Sequence, residues 1–260
     1  MSFQYIDIHT HLNLKEFNED YKVVGERARE AGVGYINIGT GKETSEKAVA
    51  LTRESIGAFA TVGTHPTHTD EPFDIAYYRT LANDENVVAI GECGLDYFRM
   101  SKDSKEMQER MLIEHIELAN ELGKPLMLHV RPSEGSVDAY EDAHAILRAY
   151  TKVLGNLHFF AGTYDIAKTF WDIGFTTSFT GVITFASQYD EVIRNAPLSM
   201  LHAETDAPYV APVPFRGKRN EPLYVREVYK RIAEIRGEDA ETVRTTLVAN
   251  AERFFGIKIV

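Results

Sequence analysis

Short apolar runs of strand length alternate along the chain with longer stretches in which apolar residues recur every three or four positions. Tyr5-Ile-Asp-Ile8 opens the series and runs into His9-Thr-His11. Val23, Val24, Ala28 and Ala31 then mark a helix that stops at Gly32. The same reading predicts further strands over 35–38, 59–63, 87–91, 125–130, 156–160, 175–179 and 200–204. It predicts helices over 44–55, 73–81, 104–122, 139–147, 165–171, 189–194, 223–235 and 240–255. Residues 206–222 form an irregular loop rich in proline and basic side chains.

Eight strands, each followed by room for a helix, are the rhythm of parallel βα units, and about 250 residues is the usual length of a TIM-type (β/α)8 barrel. The expectation is therefore an α/β barrel forming one domain over 1–260. A doubly wound α/β sheet is the alternative, but it rarely needs eight strands in so regular a series.

Composition narrows the picture modestly. A hydrophobic fraction of 44% and a charged fraction of 26% are those of a globular protein without a disordered tract. The formal charge of -11 means that a nucleic-acid partner has to be held by a local basic patch or by metal ions, not by the field of the whole protein. Cys93, the only cysteine, has no partner for an internal disulfide and reads as a packing residue. No signal peptide and no membrane-length apolar run is legible, so the expectation is a cytoplasmic, non-membrane protein, monomer favoured over oligomer.

The polar residues at the strand ends change the picture most. His9 and His11 are two apart, so on an extended strand they face one way and can converge on one ion or phosphate. His65 follows the third predicted strand and Glu92 the fourth; His129 and Arg131 end the fifth, and His158 lies in the sixth. Glu204, Thr205 and Asp206 close the eighth. Parallel strands buried under helices are expected to be almost wholly apolar, so this many histidines and carboxylates at one rim are costly unless paired or metal-bound.

Six candidate ligands exceed what one tetrahedral site takes, and two divalent ions sharing a carboxylate fit the number better. The assignment is His9, His11 and Asp206 to one ion, His129 and His158 to the other, and Glu92 as the bridge. Asp206 is also placed to act as general base on the attacking water. Histidine with carboxylate accepts Zn, Mn, Co, Fe or, less readily, Mg.

Six motifs together carry a family resemblance: H-T-H at 9–11, G-T-H-P at 63–66, G-E-C-G-L-D-Y at 91–97, H-V-R at 129–131, H-F-F-A-G at 158–162 and E-T-D-A-P-Y at 204–209. The chain resembles the TatD family of metal-dependent deoxyribonucleases, within the wider amidohydrolase-like barrels. The likeness runs from Asp7 to Phe255, with P-V-P-F-R-G-K-R-N-E-P at 212–222 and N-A-E-R-F-F at 250–255. It implies a TIM barrel with two divalent metals that cuts DNA phosphodiesters, the ligand roles falling on His9, His11, Glu92, His129, His158 and Asp206. It further implies that His65 and Arg131 lie near a substrate phosphate, where an arginine fork suits the anion. Ala161 departs from the serine or threonine frequent in relatives.

Other residues carry secondary expectations. Glu204 is expected to hydrogen-bond a ligand histidine without touching metal. Arg216 and Lys218, in the cationic run Arg216-Gly-Lys-Arg-Asn220, are candidates for holding a phosphodiester backbone. Tyr97, Phe98 and Phe185 are candidates for stacking on bases, with loop packing as the competing role. Asp96 and Asp103 read as loop or surface carboxylates, and His68 as either a site or a loop residue. The rival function is an amidohydrolase-like enzyme acting on a small ester, amide or phosphoester; relatives of that kind are expected to bridge with lysine where Glu92 stands here. A non-catalytic scaffold on the same barrel has no use for six mutually repelling polar groups.

Overall fold

The computed structural model describes residues 3–100 and 102–259. Eight strands follow in chain order: β1 Tyr5–Thr10, β2 Val33–Ile38, β3 Ala58–Val62, β4 Val87–Asp96, β5 Leu126–Arg131, β6 Gly155–Leu157, β7 Thr176–Phe179 and β8 Leu201–Ala203. Helices α1 Tyr21–Glu30, α2 Lys42–Thr52, α3 Ile75–Ala82, α4 Lys105–Leu122, α5 Asp138–Tyr150, α6 Tyr164–Trp171 and α7 Asp190–Asn195 fill the connections. Two more, α8 Val225–Arg236 and α9 Ala240–Phe255, end the described chain. All neighbouring strands pair in parallel in the order β1 to β8. The last seam is closed by a bridge between Thr10 and Ala207 and by the Asp206 amide donating to the His9 carbonyl at 2.9 Å. The architecture is a nearly closed (β/α)8 barrel, as the strand rhythm predicts.

Two apolar layers hold it. Between strands and helices runs the larger core, including Val62, Cys93, Leu95, Leu112 and Leu128. Inside the barrel, Ile6, Ile8, Ile36, Ile38, Val88 and Met127 cluster with Phe3, Phe255, Ile257 and Ile259. A Cβ on Gly34, at the start of β2, would meet both Phe3 and the Ile259 side chain, so the two ends of the described chain seal the floor at the strands' N-terminal side. The opposite rim is left for polar groups.

Three boundaries differ from expectation, each with consequences at that rim. β4 does not stop at Gly91: after a register slip it pairs on with β5 through Cys93–Leu128 to Asp96–Arg131, which places Glu92 within the strand. Gly94 permits this, because a Cβ there would lie 1.9 Å from the His129 carbonyl oxygen and its φ of 139° suits glycine. β6 ends at Leu157, so His158 sits just beyond it. β8 ends at Ala203, leaving Glu204 to Asp206 on the outgoing loop.

The loop after β3 is pinned from α4. His115, fully buried, accepts the Thr64 amide at Nε2 (2.9 Å) and donates from Nδ1 to the Met111 carbonyl (2.6 Å). Burial lowers its pKa from the ordinary 6.5 to about 4. The neutral ring is thus the folded form, whereas an unfolded His115 takes up a proton below pH 6.5. Its contribution to stability is full above that value and is lost as the pH falls to about 4, a span worth about 3 kcal/mol at most. His115→Gln keeps an acceptor for Thr64 but does not titrate. Urea unfolding between pH 7 and 4 is expected to show a flatter acid decline for this variant than for the parent.

Candidate metal centre

Glu92 is the point on which the rim converges. Its Oε1 lies 2.9 Å from His158 Nε2, 3.1 Å from His129 Nδ1 and 3.5 Å from His65 Nε2. Its Oε2 faces the other pair, 3.7 Å from His9 Nε2 and 3.9 Å from His11 Nε2. Asp206 Oδ1 stands 3.4 Å from His11 Nε2 and 3.8 Å from His9 Nε2. His9 and His11 bring their Nε2 atoms within 3.2 Å of each other, and His129 Nδ1 comes as close to His158 Nε2. All six expected ligand residues therefore meet, in two groups divided by the two oxygens of one carboxylate.

The outward-facing ring nitrogens reveal which inner nitrogens carry lone pairs. His11 Nδ1 lies 3.1 Å from the Ile38 carbonyl, and His129 Nε2 lies 3.0 Å from Asp96 Oδ2; both partners only accept, so both nitrogens donate. His158 Nδ1 faces Glu204 Oε1 at 3.5 Å as an ion-pair contact without a hydrogen bond. In the neutral His11 and His129 rings the inner nitrogens are then bare lone pairs pointing at carboxylate oxygens and at neighbouring imidazole nitrogens. A buried site of this kind requires positive charge between its atoms, as protons or as cations. The donor set of imidazole and carboxylate fits divalent metal, with outer partners of the kind that orient ligand histidines.

Electrostatics agree with that reading. Burial opposes ionisation of Glu92, but the His158 and His65 imidazoles around it hold its carboxyl well below the usual range. Burial likewise disfavours protonated His158, yet Glu92 and Glu204 outweigh it and raise that pKa well above 6.5. His129, facing Asp96 and Glu92, and His11, facing Asp206 and Glu92, are raised against burial in the same way. His9, stacked on His158 with ring centroids 3.8 Å apart, is lowered by burial and by that neighbour.

His65 is wired differently. His65, Glu92 and His129 are close enough to hold a cation, but the Thr67 amide donates to His65 Nδ1 (3.2 Å) and thereby puts the ring proton on Nε2. Burial holds its pKa at about 3, so the ring is neutral. The result is a fixed N–H donor on the cavity wall, facing Glu92 Oε1 at 3.5 Å.

Second-layer contacts set the positions. Glu204 accepts the Phe159 amide (2.6 Å) and the Ser178 hydroxyl (2.7 Å), which also reaches Asn156 Oδ1 (2.8 Å). Asp7, buried in β1, accepts the Thr205 amide (2.8 Å) and hydroxyl, and Asn220 Nδ2 donates to the Thr205 and Tyr209 carbonyls (2.9 and 2.6 Å). These bonds fix Asp206 at φ 54°. Among the described residues the other non-glycine positive φ values belong to Phe159 (45°) and Val210 (52°), and all three residues line the same cavity of about 790 Å³. Such backbone costs about 1–2 kcal/mol per residue.

Several expectations need correction. Asp96 is not only a loop carboxylate: it accepts the Phe98 and Arg99 amides (3.1 and 2.7 Å) and also orients His129. Arg131 lines the cavity, stacks on Phe98 at 4.0 Å and makes no ion pair among the described residues. Arg216 stacks on Phe185 at 3.7 Å, but neither it nor Lys218 lines the cavity, and Arg219 is bound to Asp20 at 2.6 Å. Of the cationic run only Arg219 is in an ion pair among the described residues, Arg216 and Lys218 lying outside the cavity, and Arg99 is a further cation that lines it. Tyr97 does not line the cavity; its hydroxyl meets Asp142 and Glu109 and its ring faces Lys105, the packing role. His68 lines the cavity and meets the Thr40 carbonyl through Nδ1 at 2.8 Å.

A family model described as TatD related DNase matches residues 6–256. The uncharacterized metal-dependent hydrolase YabD of Bacillus subtilis is 36% identical over 260 residues, covering 96% of this chain and 98% of its own length. A 3'-5' ssDNA/RNA exonuclease TatD of Cronobacter sakazakii is 36% identical over 264 residues, covering 96% and 97%. The crystal structure of YJJV, a TatD homolog from Escherichia coli, superposes with a TM-score of 0.90 at 28% identity, covering 99% of this chain and all of that one.

Divalent metal entering the cluster displaces protons from His11, His129 and His158, so affinity is expected to rise as pH rises through their raised pKa values. Calorimetric titration with Zn²⁺ or Mn²⁺ in buffers of different ionisation enthalpy measures the protons released. Asp96→Asn is expected to weaken metal binding about tenfold or more, as loss of a partner to a ligand histidine typically does. Unchanged affinity would show that the Asp96–His129 contact does not act on the metal.

Proposed function

The chain belongs to the TatD-related DNase family and is a metal-dependent hydrolase, and from that premise we propose that it cleaves phosphodiester bonds of DNA with two divalent ions. The observation that carries the reading is the division of Glu92: Oε2 toward His9, His11 and Asp206, Oε1 toward His129 and His158. One ion is assigned to each group, with Glu92 as the bridge. Bound there, divalent metal supplies Lewis acidity toward a phosphoryl oxygen and a nucleophilic water at neutral pH.

The chain's own residues do the rest. Asp206, held at the cluster edge by the His9 carbonyl and by the Asp7–Thr205 and Asn220 bonds, takes the proton of the attacking water as general base. His65 donates its Nε2 proton in a hydrogen bond to a phosphate oxygen without transferring it, since the neutral imidazole is a weak acid. Arg131, backed by Phe98, and Arg99 line the cavity and supply the fixed positive charge that a polyanion needs in an acidic protein. Arg216 and Lys218 act further out, on the strand beyond the cavity. A cavity of about 790 Å³ suits a strand end or a splayed nucleotide, and one relative bears the name of an exonuclease on single-stranded DNA and RNA.

Purified protein loaded with Mn²⁺, Mg²⁺, Zn²⁺ or Co²⁺ is expected to release nucleotides from single-stranded DNA, with Glu92→Gln reduced at least 100-fold in kcat. Arg131→Ala is expected to raise KM at least tenfold while leaving metal content unchanged. Ready hydrolysis of a small ester without nucleotide release would replace the nuclease reading with that of a small-molecule hydrolase.

A further inference from the structure

The cavity beside the metal cluster has two chemically different walls. Thr40 on the loop after β2, Thr44 in the first turn of α2, and Thr67 and His68 on the loop after β3 present hydroxyls and an imidazole. Tyr140, Phe159, Ala161, Tyr189 and Val210, from α5 and the segments that follow β6, β7 and β8, present aromatic and aliphatic surface. In an eight-stranded barrel with the order β1 to β8, strands two and three stand across from six and seven, so the two walls oppose one another.

The apolar wall is held in place against backbone preference. Phe159 and Val210 both sit in the left-handed region, where glycine is the unstrained residue and a β-branched valine is a rare outlier. The Phe159 turn is enforced by its amide bond to Glu204 Oε1 (2.6 Å), and the Val210 turn by Asn220 Nδ2 on the preceding carbonyl of Tyr209 (2.6 Å). Its two hydroxyls belong to largely buried side chains, Tyr140, which accepts the Ala161 amide (3.3 Å), and Tyr189, so the wall offers mainly ring and aliphatic contact.

Resting on the phosphodiesterase reading, we propose that this wall is a nucleobase subsite. It stacks the base of the nucleotide being released, while the hydroxyl and imidazole wall faces sugar and phosphate. Recognition through aromatic and aliphatic faces tolerates every base, because each offers a π-face. The subsite therefore requires a base but does not discriminate among bases.

The test compares the metal-loaded full chain on two single-stranded DNA oligonucleotides that differ only at the terminal residue, one bearing a base and the other a tetrahydrofuran abasic analogue, with each end tried in turn. The parent is expected to favour the base-bearing end about tenfold in kcat/KM. Val210→Gly is expected to reduce that preference to about twofold while raising Tm, because glycine relieves the backbone and removes only the side chain. Phe159→Gly is expected to act in the same direction, and Val210→Gly decides alone if Phe159→Gly does not fold. Equal cleavage of both oligonucleotides by the parent, or an undiminished preference in Val210→Gly, would overturn the subsite and leave the phosphodiesterase reading standing. Failure of the parent to cleave either oligonucleotide overturns the phosphodiesterase reading itself, and the subsite with it.

Discussion

A buried carboxylate ringed by imidazoles is the constraint from which the rest of this structure follows. Glu92 is almost fully enclosed, and five histidines turn ring nitrogens toward its oxygens or toward each other. Lone pairs at such distances repel unless positive charge lies between them. A fold can hold this arrangement by placing partners behind the rings. The outer contacts do so with Ile38 behind His11, Asp96 behind His129 and Glu204 behind His158, whereas His9 Nδ1 is buried without a hydrogen-bond partner and its ring is held by stacking on His158. The same carboxylates that orient the rings also keep the cluster attractive to cations.

Holding these partners in place shapes elements well away from the cluster. β4 continues past its first register to bring Glu92 and Asp96 to either side of His129, which requires a bare Cα at Gly94. β1 contributes Asp7 as well as the histidine pair, and Asp7 accepts from Thr205 across the barrel seam, so one strand both supplies ligand-type residues and anchors the loop bearing Asp206. The apolar floor made with Phe255, Ile257 and Ile259 excludes water from below. The non-glycine residues with positive φ among the described residues all line the cavity at the rim end of the barrel, where the strain can be used.

The barrel and the convergence of histidines and carboxylates at its rim are legible in the sequence, for physical reasons that also explain what is not. Strand period and the rule that buried parallel strands are apolar made His9, His11, Glu92, His129 and Asp206 conspicuous, and a local pattern suffices for that. The apolar period of β4 ends at Gly91, and nothing in it reveals that pairing resumes after a slip and carries Asp96 to His129. Arg99 and Arg219 look alike in sequence, and only the fold shows one lining the cavity and the other tied to Asp20. The positive φ angles of Phe159 and Val210 were illegible for a deeper reason: residue type argues against them, and long-range bonds from Glu204 and Asn220 prevail. Where local preference and tertiary demand conflict, the sequence reports only the preference.

His65 and His129 show that residue type and proximity do not by themselves define a ligand. Both rings lie within 3.5 Å of the same Glu92 oxygen, and their centroids are 4.4 Å apart. Behind His129 stands a carboxylate, which takes the ring proton and leaves a lone pair facing the cluster; behind His65 stands an amide N–H, which takes the lone pair and leaves a proton facing it. One ring is therefore made a donor of electrons to a cation and the other a donor of a hydrogen bond to an anion. An acidic protein that is to draw a polyanion next to its own carboxylates needs both kinds. Under the proposed function, cations held in the cluster would cancel the field of Glu92 and Asp206, and the neutral His65 N–H with Arg99 and Arg131 would then face phosphate without competing for the metal. Each charge bound at one position lowers the cost of the opposite charge at the next, so by linkage cation and anion strengthen each other's binding.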